Sequence, residues 1–98
     1  MKKYLVVTAD SNDGDTLLTK ISEISEIDLS IIKTSLEIIK EKGYVWSTYE
    51  DTANDPKIFY KDLIDIEIID ILSEYIPYDI YRIDSISLLE VINETRLI

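Results

Sequence analysis

Ninety-eight residues are enough for one hydrophobic core, because a chain of this length buries roughly 65% of its unfolded surface, and a single domain over residues 1–98 is expected. Twenty Asp and Glu against ten Lys and Arg give a formal net charge of −10, which repels nucleic acids and anionic lipids and excludes direct binding to either. Cysteine and histidine are absent, which excludes thiolate metal sites, cysteine nucleophiles and the commonest general base.

The N-terminal part of the chain predicts a β-hairpin. Residues 3–9 are rich in β-branched and aromatic side chains, residues 10–15 are a dense cluster of turn formers, and residues 16–21 are again typical of a strand. Leu17, Thr19 and Ile21 share one face of the second strand by alternation. The first strand is apolar on both faces, so it is expected in the interior of the sheet.

A helix is predicted next, ending at about residue 42. Ser25 stands three residues before Asp28, which is a capping pattern. Apolar side chains then recur at helical spacing, at Leu29, Ile32, Leu36 and Ile39. Gly43 supplies the left-handed residue that commonly closes a helix.

The middle of the chain predicts a third strand at residues 44–49, which are aromatic and β-branched and are followed by a polar run at 50–56. Trp46 is expected in the core, because a base-stacking platform needs a positive groove and the surroundings are acidic. Residues 57–61 predict an irregular segment.

A second helix and a fourth strand complete the prediction. Asp62 and Asp65 both offer N-caps, and Pro77 ends the helix. Its apolar positions are Ile64, Ile68, Ile71, Leu72 and Tyr75. Residues 80–91 predict a strand with a bulge between Ile83 and Ile86. The alternative is a short final helix capped by Ser87 and Glu90.

This order predicts an α+β fold with a small antiparallel or mixed sheet of about four strands, β-β-α-β-α-β, and two helices packed on one face. The expected core is Leu5, Val7, Ile32, Leu36, Ile39, Trp46, Ile68, Leu72 and Ile86.

The turn at residues 10–15 has the composition of a calcium loop. Asp10, Asn12 and Asp15 are the candidate ligands, but the spacing does not fit an EF-hand, since the position that requires glycine is occupied by Asp15. A hairpin loop is therefore favoured, and a weak calcium-binding module remains an alternative. No cofactor is expected.

The densest charge feature is a set of eight carboxylates within 25 residues that include two lysines. They are Glu50, Asp51, Asp55, Asp62, Asp65, Glu67, Asp70 and Glu74. One interpretation is a solvated helix face. The other is a surface whose carboxylates stand where phosphates would, so that it binds a basic protein partner.

Four segments, at residues 7–15, 21–24, 75–78 and 83–86, carry a resemblance to a known group. The chain resembles short, acidic, uncharacterised proteins of bacterial phages and mobile elements. That resemblance implies an accessory protein that blocks host nucleases or restriction systems, and it transfers no functional residue.

The sequence therefore predicts a non-enzymatic acidic protein-binding module, an inhibitor that occupies a nucleic-acid-handling host protein. The expected protein is a monomer or weak oligomer and cytoplasmic, because the apolar run at the N-terminus is too short for a signal peptide and no stretch is long enough to span a membrane. A small structural or self-assembling accessory protein is the alternative from another class.

Overall fold

The computed structural model describes residues 2–13, 15–46 and 56–91. Three strands, β1 (Lys2–Ser11), β2 (Leu17–Glu23) and β3 (Ile80–Val91), form an antiparallel sheet in the order β2-β1-β3. The helices are α1 (Glu26–Glu41), the four-residue α2 (Pro56–Phe59) and α3 (Ile66–Ser73). The fold is therefore α+β, as predicted.

Strand β1 lies at the centre of the sheet, which confirms the prediction of an interior first strand. Its odd-numbered side chains Leu5, Val7 and Ala9 are buried and share one core with the helices. The opposite face of the sheet carries no helix in the described part of the chain, and its β2 residues Leu17 and Ile21 are 59% and 62% exposed. The face of β2 that Leu17, Thr19 and Ile21 were predicted to share is therefore the open face of the sheet.

Strand β3 contains the predicted bulge. Thr8 pairs with Ser85 and Ala9 pairs with Ile83, so Asp84 is an extra residue between two ladder positions. The bulge lets Ile83 and Ile86, three positions apart, both face the core side of the sheet. The alternative of a helix capped by Ser87 and Glu90 is wrong, because both residues lie within β3.

The predicted third strand at residues 44–49 is not a strand in its described part. Val45 forms only an isolated bridge to Arg82, and residues 47–49 lie outside the described residues. Gly43 and Tyr44 both have positive φ, 81° and 60°, and a strand cannot begin in that conformation. Trp46 is nevertheless buried, as expected, and its ring centroid lies 5.8 Å from that of Tyr60.

Helix α1 agrees with the prediction. The Ser25 side chain accepts a hydrogen bond from the backbone N–H of Asp28 at 3.1 Å, and Gly43 follows the helix in the left-handed region. Ile32 and Ile39 are buried, whereas Leu36 is only half-buried at the margin of the core.

Helix α3 is shorter than predicted, and it buries Leu72 as expected but Ile69 in place of Ile68. Asp65, and not Asp62, is the N-cap, and the helix ends at Ser73, before Pro77. Ile69 and Leu72 are its buried residues, whereas Ile68 of the expected core is half-buried. Because isoleucines lie on several sides of the helix, the sequence pattern does not show which side is buried.

Candidate protein-interaction surface

The predicted acidic residues of the second helix lie at the surface. Asp62, Asp65, Glu67, Asp70 and Glu74, here called the acidic surface, are all exposed. Glu67, Asp70 and Glu74 stand at i, i+3 and i+7 and therefore project from one side of α3 and its C-cap. Glu50, Asp51 and Asp55, predicted for the same surface, lie outside the described residues.

Two lysines from other elements reach the acidic surface. Lys57 Nζ in α2 lies 3.0 Å from Asp70 Oδ1, and Lys20 Nζ in β2 donates to the backbone oxygen of Glu74 at 2.7 Å. The sequence has no Lys or Arg between Asp62 and Arg82. Lys20 lies 54 residues before Glu74, so the sequence pattern of this helix does not predict their contact. The acidic surface is thus predominantly but not purely anionic.

Exposed apolar side chains lie in the same stretch of chain as the acidic surface. Phe59, Leu63 and Ile66 are 42%, 48% and 51% exposed and lie within eight consecutive residues that also contain Asp62 and Asp65. Protein interfaces combine apolar anchors with a polar rim, whereas a solvated helix face has no need of them. Sequence reasoning did not single these three out, because Phe59 lies in the segment predicted as irregular and Leu63 and Ile66 fall outside the predicted apolar positions of the second helix.

The C-terminal end of α3 is joined to the start of α1. The Tyr75 hydroxyl donates to Asp28 Oδ2 at 2.7 Å. The pKa of Tyr75 is raised to about 12, mainly by this hydrogen bond to the carboxylate and secondly by burial. The contact ties α1 to the end of α3, which together with its two caps carries four of the five residues of the acidic surface.

The candidate calcium ligands in the hairpin loop have separate partners. Asn12 donates through Nδ2 to the carboxylate of Asp79. Asp10, the next-to-last residue of β1, is paired with Arg82 of β3. Burial, and then a hydrogen bond with Asp84, raise the pKa of the Asp10 carboxyl.

Asp13 organises the loop instead. It accepts hydrogen bonds from the Ser11 hydroxyl and from the Asp15 backbone N–H, and these bonds lower the pKa of its carboxyl. Within residues 2–13, 15–46 and 56–91, no group of three or more Asp or Glu side chains is arranged to hold a metal ion.

No protein-family model matches this chain, and no curated protein or solved structure matches it either. None of the helices in the described part of the chain is long and apolar enough to cross a membrane.

Proposed function

We propose that this protein is a non-enzymatic binding module that holds a basic protein partner on the acidic surface. The observation that carries the proposal is that exposed Phe59, Leu63 and Ile66 share one stretch of chain with exposed carboxylates. Apolar anchors supply affinity at the centre of an interface, and surrounding charges select the partner and speed its approach.

Charge indicates the kind of partner. A net charge of −10 attracts basic surfaces, and proteins that grip nucleic acid present such surfaces to phosphates. The partner we propose is a nucleic-acid-handling protein of a bacterial host, which the module inhibits by occupying its phosphate-binding surface. The resemblance to small proteins of phages and mobile elements favours this class.

Affinity capture from a bacterial host lysate tests the proposal, first with the natural sequence. The partner should be basic, released between 0.1 M and 1 M salt as the Debye length falls from ~10 Å to ~3 Å, and displaced by added DNA or RNA. Capture that ignores both salt and nucleic acid would contradict the proposal.

Matched variants then locate the surface. Asp65→Asn, Glu67→Gln and Asp70→Asn together remove three charges from α3 and its cap, and capture should fall at least tenfold. The control removes three exposed carboxylates elsewhere, by Asp15→Asn, Glu23→Gln and Glu41→Gln. Equal loss from both triple variants would show that net charge alone matters and that no particular surface binds.

A second candidate function is self-assembly through the open face of the sheet. Leu17 and Ile21 are exposed there, together with Leu89 of β3, which is 51% exposed. Sedimentation at several concentrations tests it, since Ile21→Lys should abolish any concentration-dependent association. A monomer at all concentrations would exclude this candidate.

A further inference from the structure

A cavity of about 330 Å³ lies between α1 and the β1 and β3 strands of the sheet, and its lining includes none of the residues of the acidic surface. Its apolar walls are Leu5 of β1, Leu29 and Leu36 of α1, and Ile86 and Leu88 of β3. This volume is at the lower end of the range for pockets that bind small molecules.

Lysines surround this cavity in a chain that is otherwise acidic. Lys33 and Lys40, both exposed on α1, line it and have no ion pair with any described residue. Lys3 also lines it but is held by Glu26 at 2.7 Å and by Glu90 at 3.7 Å. Glu37 is the only carboxylate among the described lining residues. Two available ammonium groups against one carboxylate favour an anionic ligand with a single charge.

Tyr44 forms a further part of the wall in a strained conformation. Its φ of 60° is unusual for a residue with a side chain. Two backbone hydrogen bonds hold it there: its N–H donates to Ile39 O at 2.9 Å, and its carbonyl accepts from Ile83 N–H at 3.0 Å. The first of these bonds, together with the one from Gly43 N–H to Lys40 O, closes the C-terminal end of α1. The backbone at Tyr44 is thus held in place beside the cavity that its side chain lines.

We propose that this cavity binds a small apolar monocarboxylate, with the carboxylate between Lys33 and Lys40 and the apolar body against Leu5, Leu36 and Leu88. A cavity volume of about 330 Å³ suits a small ligand, and octanoate is a suitable probe of this class. Glu37 offsets one of the two lysine charges, so a ligand with one negative charge matches the lining better than a dicarboxylate or a phosphate.

Titration with octanoate, followed by amide and methyl NMR shifts, tests the proposal. Saturable binding with a Kd on the order of 0.1–1 mM is expected for a ligand of this size. Shifts should be concentrated at Leu36, Tyr44 and Leu88. Octanol and octylammonium, which share the chain but lack the negative charge, should bind at least fivefold more weakly. Equal binding of the three compounds, or no saturation by octanoate, overturns the proposal.

Substitution of the lysines separates a specific headgroup site from general attraction. Lys33→Gln and Lys40→Gln should each weaken octanoate about fivefold, as expected for a partly exposed charge pair. Lys42→Gln removes an exposed lysine that does not line the cavity and should leave the Kd unchanged. Equal Kd values for all three variants contradict the headgroup assignment.

Two neighbouring residues of β3 provide a steric test. Leu88→Trp should fill the cavity and reduce octanoate binding at least tenfold, because Leu88 lines it. Leu89→Trp adds the same ring on the opposite face of the strand and should bind octanoate normally. Undiminished binding by the Leu88→Trp protein rules the cavity out. The triple variant of the acidic surface should bind octanoate normally, so this inference can fail or hold independently of the proposed function.

Discussion

Helices α1 and α3 are both capped at the N-terminus by a side-chain oxygen, and both bury one side against the same core. They differ in length and in the charged side chains that they expose. Helix α1 has 16 residues and carries Lys33 and Lys40 as well as acids. Helix α3 has 8 residues, and its charged side chains, Glu67 and Asp70, are both carboxylates. A helix of that length is not stable alone, so α3 depends on the burial of Ile69 and Leu72. The shorter helix therefore presents its acidic side chains only while the core is intact.

The largest expected effect concerns the buried side of each helix. Ile32→Ala in α1 and Ile69→Ala in α3 should each lower the free energy of unfolding by about 2–5 kcal/mol, because both side chains are fully buried. Ile68→Ala, at a half-buried position, should cost less than half as much as Ile69→Ala. Urea unfolding measures all three. A larger loss for Ile68→Ala would mean that α3 buries the side predicted from the sequence.

The hydrogen bond between the two helices should have the next largest effect. Tyr75→Phe removes the donor to Asp28 Oδ2 and should cost about 1.5 kcal/mol, a value typical of a hydrogen bond to a charged group. Hydrogen exchange should show faster opening of α3 than of α1 in this variant, since α3 is the shorter element. Uniform opening of both helices would contradict the dependence of α3 on this contact.

The same contact predicts a loss of stability at high pH. The folded-state pKa of Tyr75 is about 12, above the ordinary value of 10.0 that applies to the unfolded chain. A raised pKa means that the stabilisation is fully present below pH 10 and is lost as pH rises from 10 to about 12. Urea unfolding across this range should show a shallower decline for Tyr75→Phe. Burial also raises the pKa of Tyr60 to about 12. Tyr60 is retained in both proteins, so its contribution is the same in each.

The caps provide a smaller effect and a control for the functional test. Ser25→Ala and Asp65→Ala should each cost about 1 kcal/mol, because each removes the oxygen that accepts an N-terminal backbone N–H. Asp65→Asn keeps that acceptor and should be nearly neutral in thermal unfolding. If Asp65→Asn destabilised as much as Asp65→Ala, loss of partner capture could not be assigned to charge.

The difference between the helices also explains what the sequence could predict. Helix α1 has one clear apolar stripe between a serine cap and Gly43, so its bounds follow from local rules. Residues 63–72 contain seven Ile and Leu, and several faces of a helix fit them equally well. Only packing against the core selects Ile69. The contact of Lys20 with the acidic surface and the cavity beside α1 are products of chain topology, which local patterns do not contain.

The smallest expected effects on stability come from substituting one exposed isoleucine on each helix. Ile27 in α1 and Ile66 in α3 are 72% and 51% exposed, so Ile27→Ser and Ile66→Ser should each change the free energy of unfolding by no more than about 0.5 kcal/mol. Their effects on capture should differ. Ile66→Ser removes an apolar anchor from among the carboxylates and should weaken capture at least fivefold, whereas Ile27→Ser should leave it unchanged. Equal capture by both variants would show that charge alone binds the partner and that the apolar side chains around α3 have no part in it.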